Sequence, residues 1–220
     1  MDFLINMIIG ISGKAQSGKD TVCKMIQYCV HYQKAKELYP NLQPFGIEHY
    51  EYCLRNGIGD STFRKNSFAR KLKAMAAELL EEDIEQFEDI NFKNAHNFIK
   101  DINSDNETLT NRQLLQFIGD KMREIDPDIW VKGLLNSYCK YHNWIIPDLR
   151  FKNEAKGIKE TDSNSLLIRV ENPRVKLMNH KSEVDLDDYT EWNYVIQNNG
   201  TLEELLFKVR DILIKEKIIV

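Results

Sequence analysis

Residues 7–22 read MIIGISGKAQSGKDTV, which is an apolar run, then a loop of glycine, lysine and serine, then the start of a helical pattern. The run from Met7 to Ile11 is typical of a strand buried on both faces of a parallel sheet. From Thr21 onward, apolar residues recur at helical spacing and predict an amphipathic helix. They are Val22, Met25, Ile26, Cys29 and Val30. The stretch therefore predicts a strand–loop–helix unit, which favours an α/β fold.

The loop between this strand and helix matches the glycine and lysine positions of the P-loop. Backbone N–H groups of such a loop form a nest for phosphate at a helix N-terminus. We therefore expect phosphate to be bound by seven residues of this segment. They are Gly13, Lys14, Ser17, Gly18, Lys19, Asp20 and Thr21.

The residue after the lysine departs from the usual pattern. A Ser or Thr normally follows and binds magnesium, whereas here Asp20 follows and the hydroxyl comes one position later, at Thr21. Asp20 could reach Mg²⁺ through water, or it could serve only as a first-turn acid that favours the helix dipole. Both interpretations stay open at this stage.

Length, charge and cysteine use narrow the class of protein. The 220 residues, 25.8 kDa, fit a single domain over 1–220. A formal charge of -4 offers no global attraction to nucleic acid. The apolar stretch from Phe3 to Ile11 is too short to span a bilayer, and the four cysteines show neither disulfide nor metal spacing. We expect a cytoplasmic protein with no nucleic-acid or membrane partner.

The rest of the chain alternates strand and helix patterns. Further strands are predicted at 144–148, 166–170 and 194–196, and helices near 72–80, 110–122, 126–138, 153–160 and 201 onward. Residues 34–66 show no sustained period and predict an irregular insertion, and residues 81–107 predict an acidic, solvated excursion. The pattern indicates a three-layer α/β/α fold with a mostly parallel sheet and helical insertions.

Charged residues stand at the ends of these predicted strands. Asp148 ends a strand where open α/β sheets place their ligand crevice, and Arg150 follows in the same turn. Arg169 and Arg174 flank a strand end and a Pro-containing loop, and residues 171–190 could form a lid. Asp148 could contact Mg²⁺ and the arginines a phosphoryl group. A capping or turn acid for Asp148 and a surface ion pair for Arg150 remain equal alternatives, and Arg169 and Arg174 could be merely solvated.

Several segments, in this order, resemble the deoxynucleoside monophosphate kinases of large tailed bacteriophages and related viruses. They are residues 11–13, 17–22, 68–69, 72–73, 112–116, 126–131, 148–154 and 169–170, and His180 with Ser182 and Glu183. The resemblance implies a nucleoside-monophosphate-kinase-like fold with ATP on the P-loop. It also implies an acceptor nucleotide held between residues 68–73, within a 34–109 insertion and acceptor-binding region, and residues 112–116. The resemblance places His180, Ser182 and Glu183 near the nucleotide.

The resemblance further suggests which side chains hold the acceptor, with Arg112 first because a guanidinium binds phosphate bidentately. The candidates are Phe68, Arg70, Lys73, Arg112, Gln116 and Trp130. The implied reaction converts a deoxynucleoside monophosphate and ATP to the diphosphate and ADP, with Mg²⁺. Lys19, Arg150, Arg169 and Arg174 are the catalytic candidates.

Three other functions compete with this interpretation. Animal-type phosphomevalonate kinases are similar in having a Gly-Lys-Asp loop, so another small-molecule kinase is the nearest rival. A non-catalytic ATP-binding module is disfavoured by the presence of Lys19 and the arginines. A DNA-directed motor is disfavoured by the acidic charge balance. Whether the protein forms a homodimer is not decided by the sequence.

Overall fold

The computed structural model describes residues 7–59, 62–101, 107–139, 141–175 and 180–220. These residues fall into two compact units. The sheet unit contains the described residues up to Asn66 and those from Tyr138 onward, and the helical unit is Ser67–Ser137.

The described elements follow one another along the chain as strands β1–β7 and helices α1–α9. The strands are β1 Ile8–Ser12, β2 Phe63–Lys65, β3 His96–Lys100, β4 Thr108–Thr110, β5 Asn143–Leu149, β6 Leu166–Glu171 and β7 Tyr194–Gln197. The helices are α1 Lys19–Leu38, α2 Ile47–Arg55, α3 Arg70–Leu80, α4 Ile90–Asn94, α5 Asn111–Ile125, α6 Ile129–Leu135, α7 Lys152–Thr161, α8 Lys181–Val184 and α9 Leu202–Lys215, and a 3-10 helix spans Ile84–Glu88.

The sheet unit is built on a five-stranded sheet in the order β2-β5-β1-β6-β7, and every pairing in it is parallel. β1 is central, which explains why its residues are apolar and fully buried. The carboxyl ends of parallel strands share one edge, so the loop after β1 lies beside the residues that follow β5 and β6. The predicted α/β architecture is confirmed.

The two faces of β1 are covered by different helices. Ile9 and Ile11 belong to the large core that includes buried residues of α1 and α9. Gly10 points the other way, where an added Cβ would lie 2.8 Å from Ile158 of α7 and 3.0 Å from Leu167. Side chains of a strand alternate between the two faces of the sheet. Helices α1 and α9 therefore cover one face of β1, and α7 covers the other.

Strand β5 continues through Pro147 to Leu149, beyond the predicted end. Proline has no N–H to donate to a ladder, and the register against β1 shifts between the Gly10–Ile146 and Ser12–Leu149 pairs. The strand therefore carries an irregularity close to its carboxyl end, just before Arg150.

The helical unit has its own small core, formed by α3, α5 and the segment between them. Phe87, in the 3-10 helix, is fully buried and packs edge-to-face on Phe92 of α4. A capping box of Thr110 and Gln113, residues three positions apart, opens α5. β3 and β4 form a separate antiparallel pair.

Two predictions about local structure were wrong. Residues 34–66 are not an irregular insertion, because α1 runs on to Leu38, α2 follows and β2 joins the sheet beside β5. Buried Tyr50 and Cys53 attach α2 to the core of the sheet unit, so tertiary packing stabilises a helix that the sequence period did not reveal. The 81–107 segment is not simply solvated either, since it contributes the buried Phe87, α4 and β3.

Other details refine the expectations. α6 begins at Ile129, after Asp128, and not at the predicted Asp126–Pro127. All four cysteines are free thiols. Among the described residues, no helix is both long and apolar enough to cross a bilayer. Residues 3–6 of the apolar stretch Phe3–Ile11 and residues 176–179 of the predicted lid lie outside the described residues.

Candidate active site

The loop of residues 13–19, which we call the glycine-rich loop, joins β1 to the first turn of α1. Gly18 is the N-cap of α1 with φ 99°, and Gln16 also has a positive φ of 66°. No side chain in the described part of the chain caps α1. The first-turn N–H groups of an α-helix have no partner within the helix, so they are donors for an anion at this end. This conformation is a backbone nest of the kind that binds phosphate.

The loop packs closely against its surroundings. An added Cβ on Gly13 would lie 2.6 Å from the carbonyl oxygen of Val170, and one on Gly18 would lie 2.4 Å from Nδ2 of Asn198. Asn198 donates from Nδ2 to the carbonyl oxygen of Ser17 at 2.8 Å. The Ser17 hydroxyl is buried and has no hydrogen-bond partner within the part of the chain that the structure describes. The Val170 backbone thus excludes a side chain at Gly13, and the positive φ together with Asn198 disfavours one at Gly18.

Lys19, the first residue of α1, is nearly buried and lies over the loop. Its Nζ donates a long bond of 3.4 Å to the carbonyl oxygen of Lys14. Burial lowers the pKa of Lys19, and the Arg150 guanidinium lowers it further, whereas the carboxylates of Asp20, Glu183 and Asp148 act in the opposite direction. Among the described residues this long bond is the one hydrogen bond of the Lys19 side chain, so the buried ammonium is suited to binding an incoming anion.

Arg150 follows β5 and makes its contacts with the short helix α8. Its Nη1 forms an ion pair with Oε1 of Glu183 and donates to the carbonyl oxygen of Ser182 at 3.2 Å. The backbone N–H of Arg150 is bonded at 2.8 Å to Oε2 of Glu154, a buried carboxylate in the first turn of α7. Both ends of this arginine are therefore fixed by acidic side chains.

Arg169 lies on β6, next to β1 in the sheet. Its Nη1 donates to Oγ of Ser12 at 3.1 Å, and its Nη2 lies 3.1 Å from Oδ1 of Asp187. Lys14 of the glycine-rich loop contacts the same carboxylate at 2.6 Å. The guanidinium carbon is 5.8 Å from the ring centre of Trp192. Asp187 thus joins the loop to the sheet.

Arg174 is placed differently from the other arginines. Its side chain is exposed and donates from Nη2 to the carbonyl oxygen of Asn199 at 3.0 Å, in the turn before α9. No hydrogen bond or ion pair joins Arg174 to the glycine-rich loop among the described residues. Its proposed role in catalysis stays a prediction, as does the lid over 171–190.

The metal candidates stand close to Lys19, since Asp20 and Asp148 both act on its pKa. Asp20 is largely exposed, with Oδ1 3.4 Å from Nζ of Lys65 on β2. Thr21 is half-buried in the first turn of α1. Within the described ranges, no three His, Cys, Asp or Glu side chains form a cluster that could hold a metal ion. Mg²⁺ is commonly held by only one or two carboxylates together with substrate phosphates and water, so these residues fit it.

All six acceptor candidates belong to the helical unit. Arg112 and Gln116 lie one turn apart on α5, and Nε of Arg112 donates to Oδ1 of Asn94 at 3.3 Å. Lys73 on α3 forms an ion pair with Glu88 at 2.6 Å. The remaining three differ in exposure: Arg70 is exposed, whereas Phe68 and Trp130 are buried. Trp130 also donates from Nε1 to the carbonyl oxygen of Gly119 at 3.3 Å, which links α6 to α5.

Two acids at the site were not among the predicted site residues. Glu183 accepts from the backbone N–H of Ala15 at 2.9 Å, and Asp187 pairs with Lys14 and Arg169. The acidic run 183–188 was the only local signal, and charge runs usually indicate a solvated face. For Glu183, the order of the segments similar to viral kinases gave an additional indication.

Comparison with known proteins identifies a family for this chain. The profile of the family described as deoxynucleotide monophosphate kinase matches residues 60–209, about two thirds of the chain. A protein of Acanthamoeba polyphaga mimivirus, named provisionally as a deoxynucleotide monophosphate kinase, is 29% identical over 116 residues. That match covers 46% of this chain and 59% of the mimivirus protein.

The family match begins after the glycine-rich loop, so the loop and the match are independent observations. It includes Arg150, Arg169 and the acidic run with Glu183 and Asp187. Because the matched region covers more than half of the sequence, the chain belongs to the deoxynucleotide monophosphate kinase family.

Proposed function

We propose that this protein transfers the γ-phosphate of ATP to the 5′-phosphate of a deoxynucleoside monophosphate, giving the diphosphate and ADP. The observation that carries the proposal is the glycine-rich loop, whose uncapped helix N-terminus and buried Lys19 form a phosphate site at the carboxyl edge of the sheet. Membership of the deoxynucleotide monophosphate kinase family supports the choice of acceptor.

The triphosphate is assigned to the sheet unit. The backbone N–H groups of residues 16 and 18–21 would surround the β- and γ-phosphates, since those of Ala15 and Ser17 already have partners within the protein. Lys19 would exchange its long bond to the Lys14 carbonyl for phosphate oxygens. Arg150 and Arg169 would add positive charge at the ends of β5 and β6. Such fixed charges stabilise the charge that spreads over the transferring group in the transition state.

Mg²⁺ would be held near Asp148, Asp20 and Thr21, where it would neutralise charge on the β- and γ-phosphates. Asp20 would give up its long contact with Lys65 to do so. Asp148 lies in the carboxyl-terminal part of β5, one residue before its end, the edge at which α/β sheets bind ligands.

The acceptor is assigned to the helical unit, with Arg112 and Gln116 on one face of α5 and with Arg70 and Lys73 on α3. A phosphate oxygen of the acceptor forms the new bond to the γ-phosphorus as the bond to the β–γ bridging oxygen breaks, and ADP leaves with that electron pair. The second pKa of a phosphate monoester is near 6, so the acceptor is already mostly dianionic at neutral pH. The reaction therefore needs orientation and charge stabilisation more than a general base.

The test is an ADP-release assay with ATP and Mg²⁺ and one acceptor at a time. The acceptors are dGMP, dTMP, dCMP, dAMP, their ribose counterparts and phosphomevalonate. We expect turnover on at least one deoxynucleotide and loss of activity when Mg²⁺ is chelated. Turnover on phosphomevalonate alone would assign the chain to another class of small-molecule kinase. ATP binding without turnover on any acceptor would indicate a non-catalytic module.

Lys19→Ala is the variant that tests the site. We expect kcat/KM to fall by at least about 100-fold, because a charge that stabilises the transferring group is lost. Lys24→Ala is the matched control, since Lys24 is an exposed lysine on the same helix. Equal activity of the Lys19 and Lys24 variants would refute the assignment of the loop.

A further inference from the structure

Glu183 places a carboxylate between the glycine-rich loop and Arg150. The side chain is only 7% exposed although it belongs to a short surface helix, α8. Oε2 accepts from the backbone N–H of Ala15 at 2.9 Å, and Oε1 forms an ion pair with Nη1 of Arg150. One carboxylate therefore ties the Arg150 guanidinium to a backbone atom of the loop.

The segment that carries Glu183 is fastened on both sides by other contacts. His180 caps α8 by accepting from the N–H of Ser182 at 3.2 Å. Asp185 accepts from the backbone N–H of Lys152, the first residue of α7, at 2.9 Å. Farther along, Asp187 pairs with Lys14 and Arg169. Glu183 is thus held at the loop by bonds that do not involve its own carboxylate.

The charge state of Glu183 suits this role. Burial, the largest single influence, tends to raise its pKa, but Arg150, the N–H of Ala15 and Lys19 together bring the pKa below the usual 4.5. The carboxylate is therefore ionised at neutral pH. A charged carboxylate is the partner that orients a guanidinium most strongly.

The bonds of Arg150 leave part of its guanidinium for a ligand. Within the described residues, both side-chain bonds of Arg150 use Nη1, one to Glu183 and one to the Ser182 carbonyl. An unrestrained arginine side chain samples many rotamers, and ordering it costs entropy. Fixing Nη1 removes much of that freedom before substrate arrives, and preorganised charges contribute most to catalysis.

We propose that Glu183 is a positioning residue that holds the Arg150 guanidinium against the glycine-rich loop, so that Nε and Nη2 face the phosphoryl group being transferred. This inference rests on the proposed kinase function. It assigns Glu183 a role that acts through Arg150 and not through direct contact with substrate.

In the opposite role, the Glu183 carboxylate would compete with ATP. It would occupy the position of a phosphate and would have to leave before ATP binds. The bonds of His180, Asp185 and Asp187 argue for a fixed position, because they hold α8 in place independently of Glu183. The two roles predict different kinetic changes when Glu183 is replaced. A positioning residue supports kcat, whereas removal of a competitor would tighten ATP binding.

The kinetic test compares Glu183→Ala, Glu183→Gln, Arg150→Ala and the double alanine variant. We expect Glu183→Ala to lower kcat roughly 10- to 100-fold while KM for ATP stays within about 3-fold, as a misplaced catalytic group does. Gln retains an oxygen for the Ala15 N–H but loses the charge, so it should give an intermediate kcat. The double variant should be no slower than Arg150→Ala alone.

Two controls guard this test. Glu191→Ala removes an exposed carboxylate that pairs with Lys159 at 2.8 Å, and it should leave kcat unchanged. Thermal unfolding shows whether each variant is folded. If Glu183→Ala is not folded, Glu183→Gln takes its place in the comparison. A lower KM for ATP in Glu183→Ala, an unchanged kcat, or losses that multiply in the double variant would each overturn the proposal.

A measurement that needs no turnover separates this proposal from the kinase function. The order parameter of the Arg150 Nε–H bond, from ¹⁵N relaxation, should be high in the wild type and in Glu191→Ala. It should fall to the flexible range, below about 0.6, in Glu183→Ala. An unchanged order parameter would refute the positioning role. A wild type that is ordered but inactive on every acceptor would instead refute only the function.

Discussion

Replacement of Gly18 by alanine tests the structure of the glycine-rich loop most directly. At φ 99° a residue with a Cβ pays about 1–2 kcal/mol for the left-handed conformation. The new Cβ would also lie 2.4 Å from Nδ2 of Asn198, whose bond to the Ser17 carbonyl would break at a cost of about 1 kcal/mol. The free energy of unfolding should fall by about 2–3 kcal/mol, which lowers Tm by about 4–12 °C in a chain of this size.

Two other glycines provide matched controls. Gly57 also has a positive φ, 64°, but nothing lies within 4 Å of its added Cβ, so Gly57→Ala should cost only the conformational part, about 1 kcal/mol. Gly46 has extended backbone and open space, so Gly46→Ala should be neutral or slightly stabilising. Urea or thermal unfolding of the three variants gives the comparison.

The contribution of the clash can be isolated in an Asn198→Ala background. There the atom that meets the new Cβ is gone, and Gly18→Ala should cost about 1 kcal/mol less than in the wild type. Equal destabilisation by the Gly18 and Gly57 substitutions, or an unchanged cost in the Asn198→Ala background, would show that the loop does not have this packing.

Three further predictions concern stability. Phe87→Ala should destabilise the helical unit by about 3–5 kcal/mol, seen as faster hydrogen exchange in that unit, because it empties a fully buried site packed on Phe92; protection equal to wild type would contradict this. Thr110→Ala should cost about 1 kcal/mol in denaturant unfolding, since it removes the bond to the Gln113 N–H that caps α5, and Thr110→Ser should restore it. Because the folded-state pKa of Glu183 lies below its unfolded value of 4.5, its ionised form stabilises the fold above about pH 4.5, and this contribution is lost as the pH falls through the lower folded-state pKa. The stability curves of wild type and Glu183→Gln should therefore converge in acid, and a constant difference down to pH 2 would refute the shift.

Local patterns account for the features that were predictable from the sequence. β1, the glycine-rich loop and the start of α1 follow from an apolar run, two glycines and a helical period that are contiguous in the chain. The caps at Thr110 and Thr201 follow from residues three positions apart. In each case the interacting groups are near neighbours in sequence, so the local sequence pattern is enough to predict the geometry.

Features that depend on distant contacts were not predictable. β2 has only three residues, two of them exposed, and it forms a strand because it pairs with β5, about 80 residues away. α2 forms because aromatic residues such as Tyr50 pack on Tyr28 of α1. The pairs that join Glu183 to Arg150 and Asp187 to Lys14 span 33 and 173 residues. Charged residues show no periodic spacing, so the local sequence does not reveal which basic side chain an acidic side chain will contact.

The distribution of charge around the glycine-rich loop shows how it can select a phosphate. Lys14, Arg150 and Arg169 each have a carboxylate partner in the segment 183–187, so their positive charge is largely balanced within the protein. Lys19 differs from them, because no ion pair to it is formed within the described part of the chain and burial lowers its pKa. A net charge of -4 adds no long-range attraction. In the proposed function, initial affinity for the polyphosphate would therefore depend chiefly on oriented backbone N–H groups and the desolvated ammonium of Lys19, whereas Arg150 and Arg169 would act on the transferring group. This dependence makes the conformation of Gly18 as important to binding as any basic side chain.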